Sequence, residues 1–239
     1  MLKKKNATRL FLGSLLAITF VYGLAVGHYK IFPFYAIYEA KNIVMGHTTT
    51  RTFKESGYTH KTSFFQLISQ NDYDIVFIGD SITDGSDWYD IFPNKTIANR
   101  GISGDTTEGI LKRMDTILNT NAEKAFVMIG TNDIGRGTDI KTIFNNYVKI
   151  LEQLKINNIE PIVQSTLFTY DNAQRDNKVI SRLNKKLKDF CSEKNIIYVD
   201  LNAHLSKNER LINEYSNDGL HLNGQGYVIW AKAIKEYVY

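Results

Sequence analysis

Asp74-Ile75-Val76-Phe77-Ile78-Gly79-Asp80-Ser81-Ile82-Thr83-Asp84-Gly85 is the stretch on which the fold turns. The apolar run Ile75 to Ile78 suits a strand buried on both faces, and it leads without a break into a Gly-Asp-Ser turn. Working outward, the same kind of run returns at Thr96-Ile97-Ala98, Ala125-Phe126-Val127-Met128-Ile129, Pro161-Ile162-Val163-Gln164 and Ile196-Ile197-Tyr198-Val199. Between these runs the spacing predicts helices at 106–120, 139–157 and 174–194, with a last one at 223–237. In the third helix Val179, Leu183, Leu187 and Phe190 form one apolar stripe, while Arg182, Lys185, Lys186 and Lys188 face elsewhere as a solvated surface. Strands alternating with helices imply parallel strands joined by crossover helices. The expected fold is therefore α/β, a three-layer α/β/α sandwich around a five-stranded, mainly parallel sheet. In such sheets the loops at the carboxyl ends of the strands form the ligand crevice.

Composition narrows the class. Of 239 residues, 43% are hydrophobic and 23% charged, and the 16 Gly and 3 Pro form no biased tract, so one core carries most of the chain. The lone Cys191 makes neither an intramolecular disulfide nor a zinc ribbon. The net charge of +4 sits at the start, because Lys3, Lys4, Lys5 and Arg9 have no acid among them. The remainder balances 25 basic against 25 acidic side chains, which gives no long-range attraction for a phosphate backbone and argues against a nucleic-acid partner.

Behind the basic tip, Leu10 to Tyr29 carries no charged side chain and is long enough to span a bilayer, with the N-terminus expected in the cytoplasm. A cleaved signal peptide is the competing reading, since Ala25-Val26-Gly27 is a small-x-small triplet. The aromatic segment Ile31-Phe32-Pro33-Phe34-Tyr35-Ala36-Ile37-Tyr38 favours an anchor, because such residues suit the headgroup region. The expected organisation is a tip and transmembrane anchor over 1–29, a juxtamembrane connector over 30–71 and a catalytic domain over 72–239. The connector is polar around Gly46-His47-Thr48-Thr49-Thr50 and helical through Phe64, Phe65, Leu67 and Ile68.

The strand ends carry the chemistry. Ser81 emerges where the first strand stops, a position that suits a nucleophile and equally a helix-capping serine; the segment is not a Gly-x-Ser-x-Gly elbow. After the second strand, Asn99-Arg100-Gly101-Ile102-Ser103-Gly104-Asp105-Thr106 supplies glycines that let backbone N–H groups face a ligand, with Asp105 or Thr106 as a helix cap. After the third, Gly130-Thr131-Asn132-Asp133 offers an amide N–H without adding charge. Before the last helix, Asp218-Gly219-Leu220-His221 can hold a carboxylate and an imidazole on one turn.

These four blocks, in this order over about residues 72–237, resemble the SGNH hydrolases, also called GDSL esterases and lipases. The resemblance implies a flavodoxin-like SGNH fold. It implies Ser81 as nucleophile, Asp218 and His221 as its triad partners, and an oxyanion hole from the N–H of Ser81 with Gly104 and Asn132. Gly101 is the rival to Gly104, which is preferred for its position directly before Asp105-Thr106.

The expected activity is hydrolysis of small acyl esters, above all acetyl, on envelope carbohydrate or a related substrate, with the catalytic domain held outside the cytoplasmic membrane, periplasmic or at the cell surface. Longer-chain lysophospholipase or thioesterase chemistry and O-acyl transfer by the same triad are the alternatives, and a non-catalytic envelope binding module is the reading from another class. No metal or cofactor is expected: His28, His47, His60 and His204 lack ligand spacing. Trp88, Tyr89 and Arg136 stand where they would line a pocket, or pack, or lie on the surface. Asp80 and Asp133 are expected to fix their loops, Tyr227 and Trp230 to pack the last helix on the sheet, and Cys191 to be a packed or half-exposed thiol.

Overall fold

The computed structural model describes residues 2–29, 40–41, 52–68 and 72–239. Contacts divide the chain into two compact units, Met1–Glu55 and Ser56–Tyr239. The first contains α1, a continuous helix over Leu2–Tyr29. Its described side chains are Ser14–Val26 and His28, and Leu16, Ile18, Phe20, Val21 and Leu24 among them are exposed. The expected membrane helix is not supported here: among the described residues no helix is long and apolar enough to cross a membrane. The aromatic segment 31–38 and the polar stretch 46–50 lie outside the described residues.

The second unit takes in the C-terminal part of the expected connector over 30–71 together with residues 72–239. Helix α2, Thr52–Ile68, belongs to it from Ser56 onward. Tyr58 donates to the Gly109 carbonyl at 3.3 Å, Lys61 pairs with Asp84, and the Arg100 guanidinium stands 4.7 Å from the Phe65 ring centroid.

From there the elements run β1 (Ile75–Gly79), α3 (Ser81–Asp84), α4 (Trp88–Ile91), β2 (Ile97–Gly101), α5 (Thr107–Lys112), α6 (Met114–Leu118), β3 (Lys124–Met128), α7 (Thr131–Gly135), α8 (Ile140–Ile156), β4 (Glu160–Gln164), α9 (Asn177–Glu193), β5 (Ile197–Val199), α10 (Asn202–Leu205), a β6–β7 hairpin (Ser206–Lys207, Arg210–Leu211), a 3₁₀ turn (Asn213–Tyr215) and α11 (Gly224–Val238). The sheet order is β2-β1-β3-β4-β5, and every neighbouring pair is parallel. All five carboxyl ends therefore open on one edge.

The alternation along each strand divides the core. Val76, Ile78 and Val127 pack under α8 and α9 with Ile143, Tyr147, Leu154, Leu183 and Leu187, while Ile75, Phe77 and Phe126 face Trp88, Trp230 and Ile234 on the other side. Both faces are covered, which is why the strands read as continuous apolar runs rather than as alternating ones. Side chains set the helix starts: Asp139 accepts from the Thr142 N–H at 3.0 Å, Asp176 from Lys178 at 2.9 Å and Asn223 from Gly226 at 3.2 Å. Cys191 is fully buried in the α9 stripe, and burial pushes its thiol up to about 11, which keeps it unreactive.

Candidate active site

The site begins with how Ser81 is presented. Asp80 caps α3 by accepting the Ile82 N–H at 2.9 Å, so Ser81 becomes the first helical residue, and a first-turn N–H has no acceptor within its own helix. Tyr227 on α11 donates to the Ile82 carbonyl at 2.8 Å and ties that turn to the C-terminal helix. Asp80 is wholly buried, and its second carboxyl oxygen has no partner among the described residues. Burial, reinforced by Asp105 and Asp133 and opposed by the Ile82 N–H and His221, pushes its pKa up to about 7.

His221 comes from the far end of the chain. Its Nε2 lies 2.9 Å from the Ser81 hydroxyl oxygen, and its Nδ1 lies 2.6 Å from Asp218 Oδ2. Asp218 Oδ1 accepts the backbone N–H groups of Leu220 and His221 at 2.9 and 2.8 Å, which locks carboxylate and ring on one turn. Partial burial alone would raise the Asp218 pKa. The hydrogen bonds from the His221 ring and from these two amides outweigh it and hold the carboxyl well below the usual range. A carboxylate against Nδ1 keeps the proton on that nitrogen and leaves the Nε2 lone pair toward the serine hydroxyl. Both side chains remain accessible, His221 at 42% and Asp218 at 53%, so the site opens to solvent.

Ser216 was not legible as a site residue. Its hydroxyl donates to the His221 carbonyl at 2.6 Å and accepts the Gly219 N–H at 2.9 Å, bracing the turn from inside. Its place in a Ser-Asn-Asp-Gly sequence is the only local signal for that role.

The two glycines after β2 have different duties. At Gly101 an added Cβ would lie 2.4 Å from the Asp84 backbone nitrogen, so the residue lets β2 close against α3, and its N–H is already given to Asn99 Oδ1 at 2.9 Å. Gly104 has φ +79, a left-handed conformation suited to glycine, and its N–H has no acceptor among the described residues. Arg136 donates to the Gly104 carbonyl at 2.6 Å and so fixes the peptide. Of the two, Gly104 holds the N–H available to a ligand.

Asn132, on α7 beyond β3, is 9% exposed. Its Nδ2 donates to the Asp105 carbonyl at 3.0 Å, and its Oδ1 accepts from Arg175 Nη2 at 3.2 Å, which sets the amide orientation and leaves one N–H uncommitted. Arg175 has no local sequence signal; it reaches Asn132 across 43 positions from the loop after β4. Behind the loop, Asp105 and Arg113 form a buried ion pair at 2.8 Å, and Asp133 accepts from both the N–H and the hydroxyl of Thr107.

Trp88 is buried and stacks on Phe77 at 4.1 Å, whereas Tyr89 is exposed. Among the described residues no group of three or more His, Cys, Asp or Glu is placed to hold a metal ion.

A serine hydroxyl, an ordered imidazole and backbone and amide donors stand together at one edge of the parallel sheet. The profile of the GDSL-like lipase/acylhydrolase family matches residues 77–229, and the chain belongs to that family, the SGNH hydrolases. Two solved structures are similar over most of their length. One is a Streptococcus pneumoniae protein described as a candidate platelet activating factor (28% identity, TM-score 0.70, 85% of this chain and 98% of that one). The other is a GDSL-like lipase from Bacteroides thetaiotaomicron (25% identity, TM-score 0.65, 76% and 96%). N-acylneuraminate cytidylyltransferase of Streptococcus agalactiae is 29% identical over 168 residues, 70% of this chain and 39% of that protein. The chain thus spans about two fifths of the curated relatives it matches.

Proposed function

We propose that this protein is a serine esterase that removes small acyl groups, above all acetyl, from envelope carbohydrate or a related substrate. The observation that carries the proposal is the continuous hydrogen-bonded row from the Ser81 hydroxyl through His221 to Asp218. Ser81 Oγ attacks the ester carbonyl carbon while its proton passes to His221 Nε2, and Asp218 stabilises the imidazolium that forms. The alcohol leaves with that proton as the C–O bond breaks. Water then gives a proton to His221 and its oxygen to the acyl carbon, releasing the acid and restoring the serine. The oxyanion of each tetrahedral state is received by the N–H groups of Ser81 and Gly104 and the Asn132 amide, each contributing on the order of 3 kcal/mol.

Export and membrane attachment belong to the same proposal. They rest on the uncharged run Leu10–Tyr29 behind Lys3, Lys4 and Lys5. Fractionation with external protease tests them: a cytosolic, protease-shielded chain refutes this part.

The chemistry is tested by Ser81→Ala on p-nitrophenyl acetate and on esters of graded chain length. The variant should lose turnover while keeping its fold, and wild-type-like turnover by pure variant refutes the mechanism. A preference for chains beyond about eight carbons refutes the acetyl assignment.

A further inference from the structure

Beside the row of Ser81, His221 and Asp218 lies a cavity of about 580 Å³ between the loop after β4 and the tip of the β6–β7 hairpin. Two contacts join it to the reacting groups. Arg175, in its wall, bonds the Asn132 amide, and the Tyr170 N–H donates to the Gly219 carbonyl at 2.8 Å, one residue from Asp218. The cavity wall is therefore one hydrogen bond from the Asn132 amide and one hydrogen bond from the residue that follows Asp218.

Its walls are braced. The Arg210 guanidinium stands 4.7 Å from the Tyr170 ring centroid, donates from Nε to the Tyr170 carbonyl at 3.0 Å, and pairs with Asp171 at 2.8 Å. Glu209, at the hairpin tip, accepts from the Ser181 hydroxyl at 2.7 Å, which fastens the hairpin to α9. The lining charges balance, with Arg175, Lys178 and Arg210 against Asp171, Asp176 and Glu209. Tyr170 supplies the aromatic surface and is 38% exposed.

We propose that this cavity is the subsite for the alcohol half of the ester, and that its occupant is a carbohydrate of one or two sugar rings. This assignment rests on the esterase reading. A fatty chain would strip water from paired charges and return no hydrogen bonds, which disfavours it. A strongly anionic group would meet as many acids as bases. Hydroxyl groups can both donate to the acids and accept from the bases, and a sugar ring has an apolar face to set against Tyr170. The volume lies within the ~300–1,000 Å³ of ordinary small-ligand sites. In this arrangement the hairpin and the loop after β4 choose the acceptor, while the catalytic row supplies chemistry common to any small ester.

The test compares the full chain and its Tyr170→Ala and Arg210→Ala variants on O-acetylated chitobiose and on p-nitrophenyl acetate. The ratio of kcat/KM for the sugar ester to that for the aryl ester should fall about tenfold in Tyr170→Ala, chiefly through KM. Calorimetry of O-acetylated chitobiose with Ser81→Ala protein, with and without Tyr170→Ala, should show binding weakened to a similar degree. Arg210→Ala provides the same readouts should Tyr170→Ala fail to fold. An unchanged ratio with unchanged binding, or no binding by Ser81→Ala protein, overturns the subsite even if p-nitrophenyl acetate is cleaved and the esterase reading stands. Tyr170-dependent binding without cleavage of either ester would sink the esterase reading and leave the carbohydrate site in place.

Discussion

Gly101→Ala isolates how closely the nucleophile's helix is seated on the sheet. The new methyl group would sit 2.4 Å from the backbone nitrogen of Asp84, 2.8 Å from its Cα and 2.9 Å from the carbonyl carbon of Thr83. Ordinary Cβ contacts begin near 3.4 Å, and the atoms in the way are backbone, so α3 and β2 must part by roughly 1 Å. Thr83 and Asp84 lie two and three residues beyond Ser81 on the same short helix, so the hydroxyl moves with them while His221 keeps its place on the other loop. A displacement of about 1 Å at the reacting atom is expected to lower kcat/KM about 10²-fold. Overpacking is expected to cost about 1–3 kcal/mol, read as a Tm drop of roughly 2–4 °C for each kcal/mol. p-Nitrophenyl acetate hydrolysis and thermal melts measure the two effects. Activity within about threefold of wild type, with an unchanged Tm, would show that the β2–α3 contact does not position Ser81 and would refute the reasoning.

Two further substitutions probe the buried charges around the site. The Asp80 pKa is raised from 3.8 to about 7, so its contribution to stability is fully present below about pH 4 and is lost as pH rises toward 7. Asp80→Asn removes that titration, so the Tm of the variant relative to wild type should climb across this window; parallel Tm profiles would contradict the assignment. Arg113→Met leaves Asp105 buried without its cation and is expected to cost about 3–5 kcal/mol in urea unfolding. A loss below about 1 kcal/mol would mean that the pair does not hold the Gly104 loop in place.

The sheet was legible because its strands are buried on both faces, which makes each a short apolar run between polar segments. All five expected strands are present, four to within one residue at each end and β2 running three residues past its expected end, and α8, α9 and α11 start one to three residues after their expected first residue. The helix expected at 106–120 is instead two, interrupted at Arg113. There the side chain turns inward to bond Asp105 and the Arg100 carbonyl, a preference set by distant partners that periodicity cannot register. Helices of four or five residues, such as α3, α4 and α7, are too short to form a pattern. The same division runs through the site. Ser81, Gly104, Asn132, Asp218 and His221 stand in blocks that could be recognised locally, whereas Arg175 and Ser216 act through contacts that only the folded chain creates. Trp88, which could have lined a pocket, is taken up by the core because its ring fills the space over Phe77.

The 140 positions between Ser81 and His221 also order events in time. Every strand of the sheet is translated before the histidine, so a nascent molecule can pair its strands and display its hydroxyl while one face of the sheet still lacks Trp230 and Ile234 and no base is present to activate the serine. Hydrolytic competence would then switch on only when α11 docks through Tyr227 onto the turn that bears the serine, making turnover a report on the closing step of folding rather than on the assembly of the sheet.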